Sequence, residues 1–492
     1  MKERQLFKQD FTLYQSSHQS HIHYEFFVPK GTEELIIHFE YGPLVEDHYE
    51  DLLPTFEREG IGLEHLQEGD SFRNLITLSL NDPKQFRGAH HYFNLNQTIS
   101  LNSKEASQGF VAGEIHPGNW QVILSCHGIF SNQVKGSIEI IGINAEPPRL
   151  AQQASFGQIQ VVQDLKDRQP YQQASRFVKT ELHAHTIHSD AQQTTQELID
   201  QAVKEGIAWL AISDHNTITA IEEAIRLVED QPIQVIPGLE FTTFYGHFLM
   251  HGAPRYLFRN WTEVNLTNVG AYLDYLKENP VNLTIAHPFD QGNPWCTGCR
   301  WDYQLADLRS IDAIEIWNYV NPHQSQSSEE AYQQWVQLLA QGYEIAATAG
   351  HDWHRPLEGD EEVARSYLLV EENETLDQVL QAHQLGRSYA SIRPLIHHFI
   401  LNDHYQLGDR MQEAEDYHIR LSMASLEPGD CVMIFDQDQL LIEEEVQDVS
   451  FIGDWTLQSR SSRLFRLEVK NNKDERILFT NPIYLGSADP SE

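Results

Sequence analysis

Phe177-Val178-Lys179-Thr180-Glu181-Leu182-His183-Ala184-His185 decides how this chain is read. Phe177 to His183 has the pattern of a strand, and it runs out into two histidines one residue apart. Residues i and i+2 of an extended chain face the same side, so both imidazoles can reach one ion. Asp190 follows five residues after the second of them.

Downstream of this stretch, apolar strands alternate with helical segments. A helix is expected from about Thr195 to Glu205, with Thr195 as a cap, Leu198, Ala202 and Val203 as the apolar stripe, and Gly206 as the stop. Strands are expected at Ala208–Ser213, Ile233–Glu240, Gly246–Gly252, Asn282–Ala286, Ala313–Trp317, Glu344–Thr348 and Ser366–Val370. Helices fit at Ile218–Glu229, Val269–Glu278, Glu329–Gln341 and Thr375–Leu385. Repeating β and α units point to an α/β fold of parallel strands, open or closed into a barrel, with its chemistry at the C-terminal strand ends.

Upstream, residues 1–150 read as an all-β, sandwich-like domain. Ile37, Phe39 and Tyr41, and then Trp120, Val122, Leu124 and Cys126, alternate with other residues at the period of half-buried strands. A Gln-rich stretch at 151–176 reads as a linker, and 177–395 as the α/β unit. From 396 to 492 short strand-like runs such as Ile419–Met423 and Val432–Phe435 give a small C-terminal β domain. Three domains also suit a chain of 492 residues.

Composition narrows the function classes. Seventy-two acidic against 34 basic residues leave a net charge of −38, a field that repels phosphate backbones and disfavours long nucleic acid as a partner. No stretch approaches the ~20 apolar residues of a membrane span, and the polar start Met1-Lys2-Glu3-Arg4-Gln5 does not read as a signal peptide. Cys126, Cys296, Cys299 and Cys431 are too few for a disulfide scaffold, and a cytoplasmic setting is expected. Cys296 and Cys299 form a lone C-x-x-C, without the second pair a zinc knuckle needs.

The 25 histidines carry the functional signal. His183 and His185, Asp214-His215, Glu240, His247 with His251, His287, and His351-Asp352-Trp353-His354 all fall at or just after expected strands of the α/β unit. Imidazole with carboxylate suits Zn, Mn or Fe, and a carboxylate such as Glu240 can bridge two ions where one imidazole nitrogen cannot. Elsewhere, His21-Ile22-His23, His90-His91 and His397-His398 have no such partners and read as solvated strand faces.

Taken in order, Glu181-Leu182-His183-Ala184-His185-Thr186, Ser189-Asp190, Ser213-Asp214-His215-Asn216-Thr217, Pro237-Gly238-Leu239-Glu240, His287-Pro288 and Asp352-x-His354 resemble the successive motifs of the PHP (polymerase and histidinol phosphatase) superfamily over residues 179–395. The resemblance implies a distorted (β/α)7 barrel with two or three divalent ions (Zn, Mn or Fe) and phosphoester hydrolysis. By position it assigns His183, His185, Glu240 and Asp352 to a first ion. Glu240, His251 and His287 go to a second, and Asp190, His215 and His354 to a third. His251, eleven residues after Glu240, fits the phosphatase-like pattern, and His247 is its alternative. Gly246-His247, Asn81-Asp82-Pro83, Pro117-Gly118-Asn119-Trp120 and Thr480-Asn481-Pro482-Ile483-Tyr484 are similar to elements of the carbaryl-hydrolase-like (CehA/McbA-type) subgroup.

The expected reaction is attack of a metal-bridging hydroxide on a small-molecule phosphoester. Asp352 orients the attack, and His354 or His215 assists the leaving group. Arg255, Arg300, Arg365 and Arg393 are candidate phosphate anchors, each competing with a plain ion-pair role, and Trp295 and Trp301 are candidate pocket walls. Alternatives are a carboxyl- or carbamate-ester hydrolase with the same site, a nuclease for short oligonucleotides, and a metal-holding regulatory protein without turnover. Composition and motifs leave the oligomeric state undetermined.

Overall fold

A computed structural model describes residues 2–67, 69–144, 168–292, 295–305, 308–372, 374–458 and 462–486. Most of the expected linker at 151–176 lies outside them. From Arg168 the chain is anchored, its Nη1 donating to the carbonyls of Leu385 (2.6 Å) and Gly408 (2.8 Å).

Seven strands carry the site: β1 (Ser175–Glu181), β2 (Trp209–Ile212), β3 (Gln234–Thr242), β4 (His247–Gly252), β5 (Val281–Ile285), β6 (Ala313–Trp317) and β7 (Ala346–Ala349). They pair in sequence order within one 15-stranded sheet. β1, β2 and β3 are mutually parallel, and so are β5, β6 and β7. β4 runs against both its neighbours, which corrects the expectation of parallel strands throughout. The cause is the connection: only Thr243 to Gly246 separate β3 from β4, and a crossover needs a dozen residues or more. Thr243 closes that turn, its Oγ1 donating to the Gly246 carbonyl at 2.8 Å.

After β7 the backbone returns beside the end of β1. Trp353 N donates to His183 O, and His185 N donates to Trp353 O, both at 3.1 Å. On its other side β1 pairs antiparallel with Arg365–Glu371, and the sheet continues through Ser388–Ser391 into the C-terminal strands Arg476–Thr480, Leu464–Lys470, Cys431–Asp436 and Gln439–Glu445. The C-terminal strands therefore extend the central sheet, and a further three-stranded sheet packs with them.

Helices cover the strands where the apolar stripes predict. Thr195–Lys204 buries Leu198, Ile199 and Ala202, but its cap is Thr194, one residue earlier than expected. Thr194 and Glu197 form a reciprocal capping box there. Gln326–Ala340 buries Tyr332, Trp335 and Leu338 against the strand side.

The N-terminal part forms two four-stranded antiparallel sheets sharing one apolar core, in which Ile37, Phe39, Tyr41, Trp120, Val122, Leu124 and Cys126 are all buried. The strand Gly118–Gly128 is buried on its other face too: Ile123, Ser125 and His127 have no exposed surface. Phe244 and Trp261 of the α/β unit cover them. His127 stacks on Trp261 at 5.4 Å, and Trp261 Nε1 donates to Ser79 Oγ at 3.2 Å. The N-terminal sheets thus form a roof over the C-terminal ends of β2 and β3.

Candidate metal centre

Glu240, near the end of β3, is fully buried and stands among five imidazoles. Its Oε1 lies 2.9 Å from His247 Nδ1 and 3.1 Å from His287 Nε2. Its Oε2 lies 3.3 Å from Nε2 of both His183 and His185, and 2.9 Å from His215 Nδ1. Asp352 Oδ1 faces the same pair, 3.2 Å from His183 Nε2 and 3.0 Å from His185 Nε2. Asp190 Oδ1 joins His215 Nε2 (3.4 Å) to His354 Nε2 (3.1 Å). Potential ligand atoms converge in overlapping groups: His183, His185, Glu240 and Asp352; His185, Asp190, His215 and His354; and His215, Glu240 and His247.

The donor set fits cations. His183 Nε2, His185 Nε2, His247 Nε2, Glu240 Oε2 and Asp352 Oδ1 are buried without a hydrogen-bond partner. An unsatisfied buried polar atom costs ~1–3 kcal/mol, so five at one point call for a ligand that accepts their lone pairs. His287 makes the same case through its tautomer. Its Nδ1–H donates to the Cys299 carbonyl (3.0 Å), so a neutral ring turns a lone pair toward the Glu240 carboxylate. Only a proton or a metal relieves that opposition. With no metal a proton takes the place: burial would push His287 down, but Glu240 holds it up to about 10. His354 is likewise held at about 10, Asp190 and Asp352 outweighing burial. His183 sits well above its ordinary value, where Asp352, Glu315 and Glu240 overcome desolvation. Glu240 itself stays far below the usual carboxylate range, since His215 and His183 outweigh its burial.

Supporting groups fix the ligand atoms. Glu315, in the middle of β6, accepts from His183 Nδ1 at 3.0 Å and from the His287 backbone N at 3.1 Å. Asp214 accepts from Thr186 N, Thr186 Oγ1 and Ser189 Oγ at 2.7–2.9 Å, shaping the loop that carries Asp190. Asp352 and His287 adopt positive φ (52° and 26°), a left-handed backbone in which ordinary residues are strained and which recurs at functional sites.

Eight of the nine expected ligand positions converge, namely His183, His185, Asp190, His215, Glu240, His287, Asp352 and His354. The exception is His251, the favoured member of its pair. Its Nε2 donates to the Leu182 carbonyl (3.0 Å), and its ring meets His383 at 5.6 Å. His247 stands at the cluster instead. The antiparallel direction of β4 explains this: His247 pairs with Thr242 at the site end of β3, and His251 pairs with Gly238, deeper in the sheet.

None of the four proposed arginines lines the site cavity. Arg365 is buried in an ion pair with Glu181 and Glu205, Arg393 pairs with Asp430, and Arg300 with Asp302. Arg255 lies exposed over Tyr256. Cys296 and Cys299 are disulfide-linked and line the cavity with Trp295, whereas Trp301 packs on Tyr303. The N-terminal sheets contribute what sequence reading missed. His91 and Arg73 line the cavity, and the His91 ring lies 4.7 Å from that of His215. His91 and His21 are not solvated as expected: His91 is buried, and His21 stacks on Phe244 at 4.6 Å. The pattern around His91 gave no warning, because its partners are contributed by another part of the chain.

A buried cluster of histidines and carboxylates at one end of a mixed α/β sheet defines a metal centre of the hydrolase type. The chain carries a PHP domain: residues 181–406 match the family described by that name. Among curated proteins it is similar to a 5′-3′ exoribonuclease of Haemophilus influenzae, 37% identical over 65 residues, 13% of this chain and 24% of the other. It is also similar to a phosphoribosyl 1,2-cyclic phosphate 1,2-diphosphodiesterase of Eggerthella lenta, 31% identical over 13% of this chain and 24% of the other. The chain thus spans about a quarter of the length of these relatives. A two-domain Bacteroides vulgatus protein, described as containing a predicted PHP-like metal-dependent phosphoesterase, aligns over 66% of this chain and 100% of its own. The identity is 14% and the TM-score 0.38.

Proposed function

We propose that this PHP-domain protein is a metal-dependent phosphoesterase acting on a small phosphorylated molecule. The observation that carries the reading is Glu240 among five imidazoles, with Nε2 of His183, His185 and His247 and its own Oε2 buried without a hydrogen-bond partner. Three ions would divide these residues: His183, His185, Glu240 and Asp352 would hold the first, Glu240, His247 and His287 the second, and Asp190, His215 and His354 the third. The backbone link from Trp353 to His183 and His185 supports a distorted seven-stranded barrel as the frame.

Bound ions supply electrophilic pull on phosphoryl oxygens and acidify water. The protein's own groups do the rest. Glu315 fixes the tautomer of His183, and Asp352, His354 and His215 all line the cavity, where Asp352 would orient an attacking water and His354 or His215 would assist the leaving group. The cavity of about 430 Å³ admits a small substrate.

The test is loading with Mn or Zn and following nitrophenolate release from a phosphate monoester, a phosphate diester and a carboxylic ester. Chelator-sensitive cleavage of a phosphate substrate, lost in Glu240→Ala together with bound metal, supports the reading. Cleavage of the carboxylic ester alone moves the assignment to carboxyl and carbamate esters. An active Glu240→Ala enzyme refutes the site.

A further inference from the structure

The cavity above the metal centre is walled on one side by the PHP domain and on the other by the N-terminal sheets. Its floor is acidic and imidazole-rich, with Asp190, His215, His287 and Asp352. Its outer wall is aromatic: Phe72, Phe93, Phe130 and Trp295. Trp295 is 47% exposed, although its indole is held edge-on by Phe56 (5.8 Å) and Phe72 (6.3 Å). A large apolar ring that is anchored and still open to the cavity is a surface built to be covered.

Arg73 is the single Lys or Arg among the lining residues. It belongs to the short strand Phe72–Arg73, which is pinned by pairing with Val45–Glu46, so that Phe72 points into the core and Arg73 outward. Its guanidinium lies over Phe93 at 5.2 Å, and no carboxylate among the described residues pairs with it. In a chain with 72 acidic residues against 34 basic ones, an arginine beside an acidic site that takes no carboxylate partner is held for another anion. His91 on the same wall is 7% exposed and leaves Nδ1 without a hydrogen-bond partner.

We propose that the N-terminal sheets are the substrate-recognition element of this enzyme, with Arg73 as a specificity-determining residue. Phe93 and Trp295 receive an aromatic leaving group, and Arg73 receives an anionic substituent on that ring. The substrate class is then an aryl or heteroaryl phosphoester whose organic part carries its own negative charge. The polarity of binding follows from the walls: the acidic floor accepts the phosphoryl end only with its cations in place, and the ring's anion has one arginine to reach. This inference rests on the phosphoesterase reading.

The test uses the full chain loaded with Mn. Binding of phenylphosphonate and methylphosphonate is measured by calorimetry, and hydrolysis of 4-carboxyphenyl phosphate is compared with that of 4-nitrophenyl phosphate. Phenylphosphonate is expected to bind about tenfold tighter than methylphosphonate, with the gap closing to about threefold or less in Trp295→Ala and Phe93→Leu. Arg73→Met is expected to raise KM for the carboxylated substrate about tenfold with kcat within about twofold, and to affect the nitrophenyl substrate less. Metal content and the unfolding midpoint of each variant are expected to match the parent, since Trp295 and Arg73 are exposed side chains. Equal binding of the two phosphonates, or an unchanged KM in Arg73→Met, overturns the proposal while hydrolysis by the parent protein leaves the phosphoesterase reading standing. A parent protein that neither binds a phosphonate nor cleaves a phosphate substrate overturns both.

Discussion

Along β4 the backbone rises ~13 Å between His247 and His251 at ~3.3 Å per residue, and that distance separates an imidazole held at Glu240 from one that donates to the Leu182 carbonyl. His247→Ala is expected to lose bound metal and at least ~100-fold in hydrolysis, as removal of a ligand does more than the 10–100-fold typical of its supporting groups. His251→Leu is expected to keep the full metal complement. Elemental analysis of the two purified variants decides it, and the reverse result would restore His251 as the ligand. Arg365 marks a second contrast at this scale. It is 2% exposed and paired with Glu181, which in turn accepts from the backbone N of His183 and His351. Arg365→Met leaves Glu181 buried and unpaired, and the loss of one partner from a buried pair costs ~3–5 kcal/mol. Denaturant unfolding is expected to register that loss, with KM of the folded fraction unchanged. A raised KM at full stability would return Arg365 to the role of phosphate anchor.

Between elements, the helix Leu376–Gln384 presses His383 onto β5, where Nδ1 accepts from Asn282 Nδ2 at 3.1 Å and Nε2 meets Thr284 Oγ1 at 3.2 Å. Burial lowers His383 to about 4, and it lowers the neighbouring His251 to about 3. Because these folded-state values lie below the ordinary 6.5, the unfolded chain binds the protons first as pH falls. Stability is complete above about 6.5 and is lost between there and about 4, by up to ~3 kcal/mol for His383. His383→Gln keeps an acceptor and a donor without the titration. Its acid-unfolding midpoint is expected to move to lower pH, with little change at pH 7.5; an unmoved midpoint would place the acid lability elsewhere. The elements themselves were legible in the sequence because a strand period of two and a helix period near 3.6 are local signals. Ala313–Trp317 and Val269–Lys277 fall where those periods place them. The direction of β4 was legible only in the shortness of Thr243–Gly246, whereas the preference for His251 came from its spacing of eleven residues after Glu240, a count that carries no strand direction. Glu315 was visible as a carboxylate inside the apolar run Ala313-Ile314-Glu315-Ile316-Trp317, yet its partners His183 and His287 lie 132 and 28 residues away. Arg73 and His91 had no local signal, since their chemistry comes from the docking of one part of the chain on another.

For the whole molecule, the metal centre ties folding to ion and proton uptake. Its candidate ligands come from β3, β4 and the loops after β1, β2, β5 and β7, so filling it would join segments from His183 to His354. Ions bound only by the folded state stabilise it by mass action, ~4 kcal/mol at a thousandfold excess over Kd. Chelation is therefore expected to lower the unfolding midpoint by several degrees. Protons limit the fall. In the metal-free protein His287 and His354 are held near 10, so at pH 7.5 both rings carry a proton that offsets the charge of Glu240, Asp190 and Asp352. A metal ligand must give up that proton. Refilling the chelated protein at pH 7.5 is expected to release more than two protons per molecule, one from each of these rings and a further one from His183, which is also held well above its ordinary value, and fewer as pH passes 10. Calorimetric titration with Mn in two buffers of different ionisation enthalpy measures the number directly. A buffer-independent heat would mean that His287 and His354 stay protonated with the ions bound, and would remove both from the ligand set.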